Sequence, residues 1–208
     1  MRRRFLAALS AVAALAGCPI PQPLSEYPAG TVTPPRILTG TPTRDAEGII
    51  PVPANCPGPA PQYDLGARVF YQQPTHGIRA RWFVDYRKDL QPRYTPLGDF
   101  DVPRDPDPNV LERTVPPFTF RPYEFAPAAE LGIPSGAPPY ASPGLVHVVE
   151  LVVSNGFDPD ATAEPNRTPA LVPGGSTRFE IQTYRWVFVT APVTPGCVAG
   201  EPGCVLCP

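Results

Sequence analysis

Five cysteines carry most of the reactive chemistry open to this chain: Cys18, Cys56, Cys197, Cys204 and Cys207. Cys204-Val205-Leu206-Cys207 has CxxC spacing. A redox pair at that spacing needs a βαβ context and a helix N-terminus that lowers a thiol pKa. Here only Pro208 follows. A zinc site needs four thiolates, or help from histidine, under reducing conditions. Structural disulfides are the expectation for Cys56, Cys197, Cys204 and Cys207, and no metal site is expected.

A hydrolytic triad would have to use His76 or His147, the two histidines of the chain. His76 lies in Gln73-Pro74-Thr75-His76-Gly77, which has turn chemistry. His147 lies among valines. No serine has a G-x-S-x-G or comparable nucleophile context. No glycine-rich loop opens a helix, so nucleotide binding is unsupported. The expectation is a turn histidine, a packed strand histidine, no catalytic residue and no cofactor.

Acidic clusters could hold calcium, which takes six to eight oxygen ligands. Asp99 and Asp101 fall close to Asp105, Asp107 and Asn109; Asp158 and Asp160 follow a strand pattern. The prolines between these acids also fit a solvated loop. Glu150 is the acid inside a strong strand pattern, expected at an edge or against an arginine. Asn166-Arg167-Thr168 matches a glycosylation sequon.

The start of the chain sets the compartment. Three arginines precede an apolar run from Phe5 to Ala16, 12 residues long. A charged start, a short apolar middle and a small-residue exit form a secretory signal. A membrane span needs about 20 residues, so this run is not a spanning anchor. Leu15-Ala16-Gly17-Cys18 resembles the lipobox of bacterial lipoproteins. The resemblance implies cleavage before Cys18, a diacylglyceryl group on its thiol and acylation of the new amine. Several acyl chains on one residue hold a protein firmly to a bilayer, where one chain does not. The resemblance implies a protein exported and lipid-anchored to a bacterial membrane, with the outer membrane expected and the domain facing the periplasm or the surface.

Removal of residues 1–17 leaves 14 basic and 19 acidic residues, a formal net charge of −5. A net acidic chain without a basic run is a poor nucleic-acid ligand. With Cys18 lipidated, an even four cysteines remain in an oxidising compartment, enough for two disulfides.

These groups must be positioned by a proline-rich framework. Proline makes up 34 of 208 residues, about three times its usual share of about 5%. Proline cannot donate to a sheet ladder, so central strands should lie in the proline-free windows. Those windows are 62–73, 75–91, 144–158 and 174–191. Residues 63–71 read as one strand. In the next window Ile78, Ala80, Trp82, Val84 and Tyr86 share a face, against Arg79, Arg81, Phe83 and Asp85. That alternation predicts a half-buried antiparallel strand with Trp82 as the core anchor. Residues 145–153 are apolar on both faces and predict a central strand; residues 184–190 predict another. Residues 36–39 and 118–121 are shorter candidates. Many strands and no amphipathic helix predict an all-β sandwich.

Trp82 in an early strand, with Pro143-Gly144 through Ser154-Asn155-Gly156 late in the chain, resembles an immunoglobulin-like sandwich. The late segment is similar to the polycystic-kidney-disease (PKD) type, with Val146, Glu150 and Ser154 departing from its pattern. The resemblance implies an antiparallel β-sandwich with long Pro-rich loops over residues 36–192, and no catalytic residues. It also implies that the loop after the first strand and the exit of the last strand share one end. One disulfide should then tie Cys56 to the C-terminal tail, residues 193–208, and the other should be local, with Cys197–Cys204 preferred.

Residues 18–35 read as a Pro-rich tether. Residues 90–143 read as a long loop, the best place for specific function. The expected role is structural or protein-interacting, with an envelope protein or glycan as partner. The alternative is a glycan- or peptide-binding module using Phe70, Phe83, Tyr123 and Tyr140.

Overall fold

The structure, a computed structural model, describes residues 33–38, 49–54, 61–73, 76–89, 93–125, 145–196, 198 and 204–207. The chain divides into two units, Met1–Thr31 and Val32–Pro208, and all described residues belong to the second. The signal, the lipobox, Cys18 and nearly all of the tether lie outside the described residues.

Ten strands are described: β1 (Arg36–Ile37), β2 (Ile49–Pro53), β3 (Tyr63–Leu65), β4 (Arg68–Phe70), β5 (Arg79–Val84), β6 (Gly98–Asp101), β7 (Glu112–Thr114), β8 (Phe118–Phe120), β9 (Val146–Ser154) and β10 (Ile181–Ala191). A single 3₁₀ turn, Pro122–Glu124, is the one helical element among the described residues. The sheets run β1-β4-β7, β2-β10-β9-β5-β6 and β3-β8. The fold is an all-β sandwich. With β1, β4 and β7 in one layer and β5, β9 and β10 in the other, the strands divide as A, B, E and C, F, G do in immunoglobulin domains.

The proline-free windows supply the centre of the large sheet. β9, apolar on both faces, lies between β10 and β5. Its inner residues Val149, Leu151 and Val153 join Ala80, Trp82, Val84, Trp186 and Phe188 in the main core. Trp82 is fully buried. Its ring lies 5.5 Å from Phe118, stacked, and 5.5 Å from Trp186, tilted. Tyr63 and Phe120, from β3 and β8, close over Phe188 at 5.0 and 4.6 Å. Many immunoglobulin domains place a disulfide between strands B and F; β4 and β9 contain no cysteine, and their Val69 and Leu151 belong to the main core.

Four expectations need correction. Residues 63–71 are two strands: β3 pairs with β8, whereas β4 pairs with β1 and β7. The chain changes sheet at Gly66-Ala67, and the partner ribbon changes at Val115-Pro116-Pro117. Extended segments that bend between layers make sandwich corners. Second, β2 contains Pro51 and Pro53 inside a proline-rich stretch. It is tolerated because β2 is an edge strand. The Ala54 N–H points to Ala191 O, so alternate positions 51 and 53 face away from the ladder, where no donor is needed. β2 also runs parallel to β10, so the sandwich is not wholly antiparallel. Third, β5 is buried on both faces, not half-buried. Fourth, residues 90–143 are not simply a loop, because they contribute β6, β7 and β8. Residues 126–144 of that segment lie outside the described residues.

Candidate functional site

The outer face of the large sheet explains why β5 has no exposed side. The segment between β9 and β10 folds over it. Phe83, Val152 and Phe157 form a second apolar cluster there, joined by Tyr86 and Ile181. Tyr86 therefore does not share the Trp82 face. Asp85 adopts φ +50°, a left-handed residue that redirects the chain at the end of β5, and the Tyr86 ring meets Phe83 edge-on at 5.2 Å.

Charged groups surround this cluster. Arg81, itself buried, donates to Asp99 at 3.0 Å and to Asn166 O at 2.7 Å. Its guanidinium also lies 4.3 Å from the Phe157 ring centroid. Arg79 reaches Asp99 at 2.9 Å and Asp101 at 3.7 Å. A buried charge is tolerable only when paired and hydrogen-bonded, and Asp99 fills that role for Arg81.

Where β9 begins, the outer face opens into a cleft of about 600 Å³. Val146, Val148 and Val187 give it an apolar floor, and Arg93, Arg167 and Arg185 line it together with Glu150, Asp85 and His147. Glu150 is 4% exposed. Arg185 Nε binds its Oε1 at 2.5 Å, and Arg167 Nη1 lies 3.1 Å from its Oε2. Arg167 also stacks 4.4 Å from the Tyr86 ring centroid. Burial pushes the Tyr86 hydroxyl above its ordinary pKa, with Arg167 opposing that shift. Asp85 Oδ2 lies 2.7 Å from His147 Nδ1 and 3.5 Å from Arg93 Nη1. Asp85 Oδ1 accepts the Val148 N–H at 2.8 Å. A carboxylate only accepts, so the shared hydrogen with His147 sits on Nδ1.

This arrangement can bind charge, and its histidine and phenol are held by other described residues. The His147 ring packs 5.9 Å from Phe120, edge to face, and the hydroxyl that lines the cleft, Tyr86 Oη, donates to Pro165 O at 3.1 Å. His147 is thus the packed, hydrogen-bonded strand histidine that its valine neighbours suggested. His76 lies in the turn, its carbonyl accepting from Arg113 at 3.1 Å. Glu150 meets arginines, as expected of an acid in an apolar strand.

The acidic clusters are occupied by other partners. Asp99 and Asp101 pair with arginines of β5. Asp105 and Asp107 accept backbone N–H groups two residues on, at 2.9 Å each. Asp158 binds Arg178 at 2.8 Å, which holds its carboxyl below the usual aspartate range. Among the described residues, no three metal-ligating side chains converge. The Asn166 amide donates to Tyr94 O at 3.0 Å, so the sequon asparagine is spent on loop structure.

Cys204 and Cys207 lie in the tail among the described residues; Cys18, Cys56 and Cys197 lie outside them. The tail around Cys204 sits against β2 and β3, where Pro51, Pro53, Pro61 and Tyr63 share a small cleft with Cys204 and Val205. Val205 is buried, and its carbonyl accepts the Thr194 N–H at 2.9 Å.

Sequence reasoning did not single out Asp85, Arg93, Arg167 or Arg185 as a group. The signal that could have found them is Glu150: a carboxylate within a doubly apolar strand demands cations. Which arginines answer depends on the fold. Compared with known proteins, the chain matches no family model, no curated protein and no solved structure.

Proposed function

We propose that this chain is an envelope lipoprotein, in which a disulfide-stapled β-sandwich on a lipid tether serves a structural or protein-interaction role. The lipobox Leu15-Ala16-Gly17-Cys18 supports export and attachment through Cys18. The parallel pairing of β2 with β10 carries the disulfide part of the reading. Parallel strands end on the same side, so the C-terminal ends of β2 at Pro53 and of β10 at Ala191 lie side by side, and Cys56 is three residues beyond Pro53 in sequence. That supports one bridge from Cys56 to the tail. The partner is an envelope protein or the membrane itself through the lipid. The anchor is tested by labelling the full chain in a bacterial host with an alkyne fatty acid. Label on the wild type and none on Cys18→Ala is expected. Equal labelling of both, or an unlabelled chain with residues 1–17 retained, contradicts the anchor.

A second reading is a ligand-binding module, and the arginine-lined cleft is the observation that favours it. Stacking of a sugar on exposed aromatic rings receives less support. Phe83 is fully buried and Phe70 half-buried, while Tyr140 and the Tyr123 side chain lie outside the described residues.

A further inference from the structure

We propose that the cleft at the start of β9 binds an amphipathic anion: a carboxylate or phosphate group joined to a short apolar body. The charge balance is the first reason. Arg93, Arg167 and Arg185 face Asp85 and Glu150, three cations on two anions. Glu150 alone holds two guanidinium groups, and among the residues that line the cleft arginines outnumber carboxylates. This excess sits in a chain whose formal net charge is −2, so the cleft differs in sign from the molecule around it. A concave, partly desolvated cationic site concentrates anions.

Donor geometry is the second reason. Arg185 spends Nε on Glu150, which leaves both terminal amino groups of a planar fork. Its side chain is 60% exposed, so those donors can reach a ligand. Guanidinium forks bind carboxylate and phosphate in a bidentate manner. Glu150 fixes the Nε end and so aims the fork before any ligand arrives.

The floor supplies the apolar half of the chemistry. Val146, Val148 and Val187 lie side by side on β9 and β10, and Val146 is 54% exposed. An apolar floor beside a few placed polar groups is the usual composition of a small-molecule site. A bare inorganic anion would leave that floor wet.

The test uses the full chain with Cys18→Ser, which carries no acyl chain however the leader is processed, so a failure here is separate from failure of the lipoprotein reading. Octanoate, octyl phosphate, 1-octanol and inorganic phosphate are titrated by calorimetry. Saturable binding of octanoate and octyl phosphate is expected, with the tighter one naming the headgroup. Loss of one charged hydrogen bond corresponds to about a tenfold weakening, expected for Arg185→Gln and for Arg93→Gln. Arg68→Gln, which alters an exposed pair with Glu112 on another sheet, should leave affinity within about twofold. No saturable binding of either octyl anion overturns the proposal. So does 1-octanol or inorganic phosphate binding as tightly as they do, or unchanged affinity in both cleft variants.

Discussion

His147 Nδ1 lies 2.7 Å from Asp85 Oδ2, while Asp85 Oδ1 holds the N–H of the next residue, Val148, at 2.8 Å. One carboxylate at the end of β5 thus clamps two consecutive residues of β9. Asp85 does this from φ +50°, a conformation that Asp and Asn tolerate better than most residues. Asp85→Ala leaves two donors without their acceptor and keeps the strained backbone. It should cost about 2–4 kcal/mol of unfolding free energy, and Asp85→Asn about half as much. Urea denaturation reads both, and equal losses would refute the argument.

Glu150 binds Arg167 and Arg185 while almost fully buried. Removing one side of a buried ion pair strands the other, so Glu150→Gln should destabilise by about 2–4 kcal/mol. Arg167 is 12% exposed and Arg185 60%, so coupling should be larger with Arg167. A double-mutant cycle with Arg167→Gln should return an interaction of about 1–3 kcal/mol. Strict additivity would place the pair's contribution near zero.

Trp82 and Trp186 form the centre of the core. Trp82→Ala should lose about 3–5 kcal/mol. Trp82→Phe and Trp186→Phe should each abolish the same feature of the near-UV circular dichroism spectrum, because that feature belongs to the ring pair. A spectrum unchanged by either would contradict the 5.5 Å contact.

Asp158 is held below its ordinary range first by its hydrogen bond to Arg178 and then by the Asp160 N–H. A depressed folded-state pKa stabilises the fold above the unfolded value and loses that contribution as pH falls through the folded one. The Asp158 carboxyl should therefore titrate below a free aspartate by NMR. In Arg178→Gln it should move up towards the ordinary value. Lack of movement would remove the pairing as the cause.

Disulfide mapping tests the proposed staple. Proteolysis without reduction should yield a peptide linking Cys56 to the tail, and Cys56→Ser should lower stability. Closure of a loop of this size contributes about 4–5 kcal/mol in the chain-entropy model. Cys56 as a free thiol, or bonded to a cysteine outside the tail, would contradict it.

Proline placement and residue alternation were enough to locate β5, β9 and β10, because a central strand needs every N–H and its side chains must suit both layers. Trp82 as core anchor and Glu150 as an acid needing arginine were legible for the same local reason. β2 was not, since Pro51 and Pro53 read as strand breakers until the register turned their nitrogens outward at an edge. The break of residues 63–71 into β3 and β4 was equally hidden, because a corner is a relation to a second ribbon. The cleft lay furthest out of reach. Its charges come from β9, β10, the end of β5 and loops on either side of β9, up to about a hundred residues apart in sequence. Sequence determines which side chains can be buried and which need partners; only the folded chain decides which partners meet, because pairing energy depends on distance and on the water excluded around it.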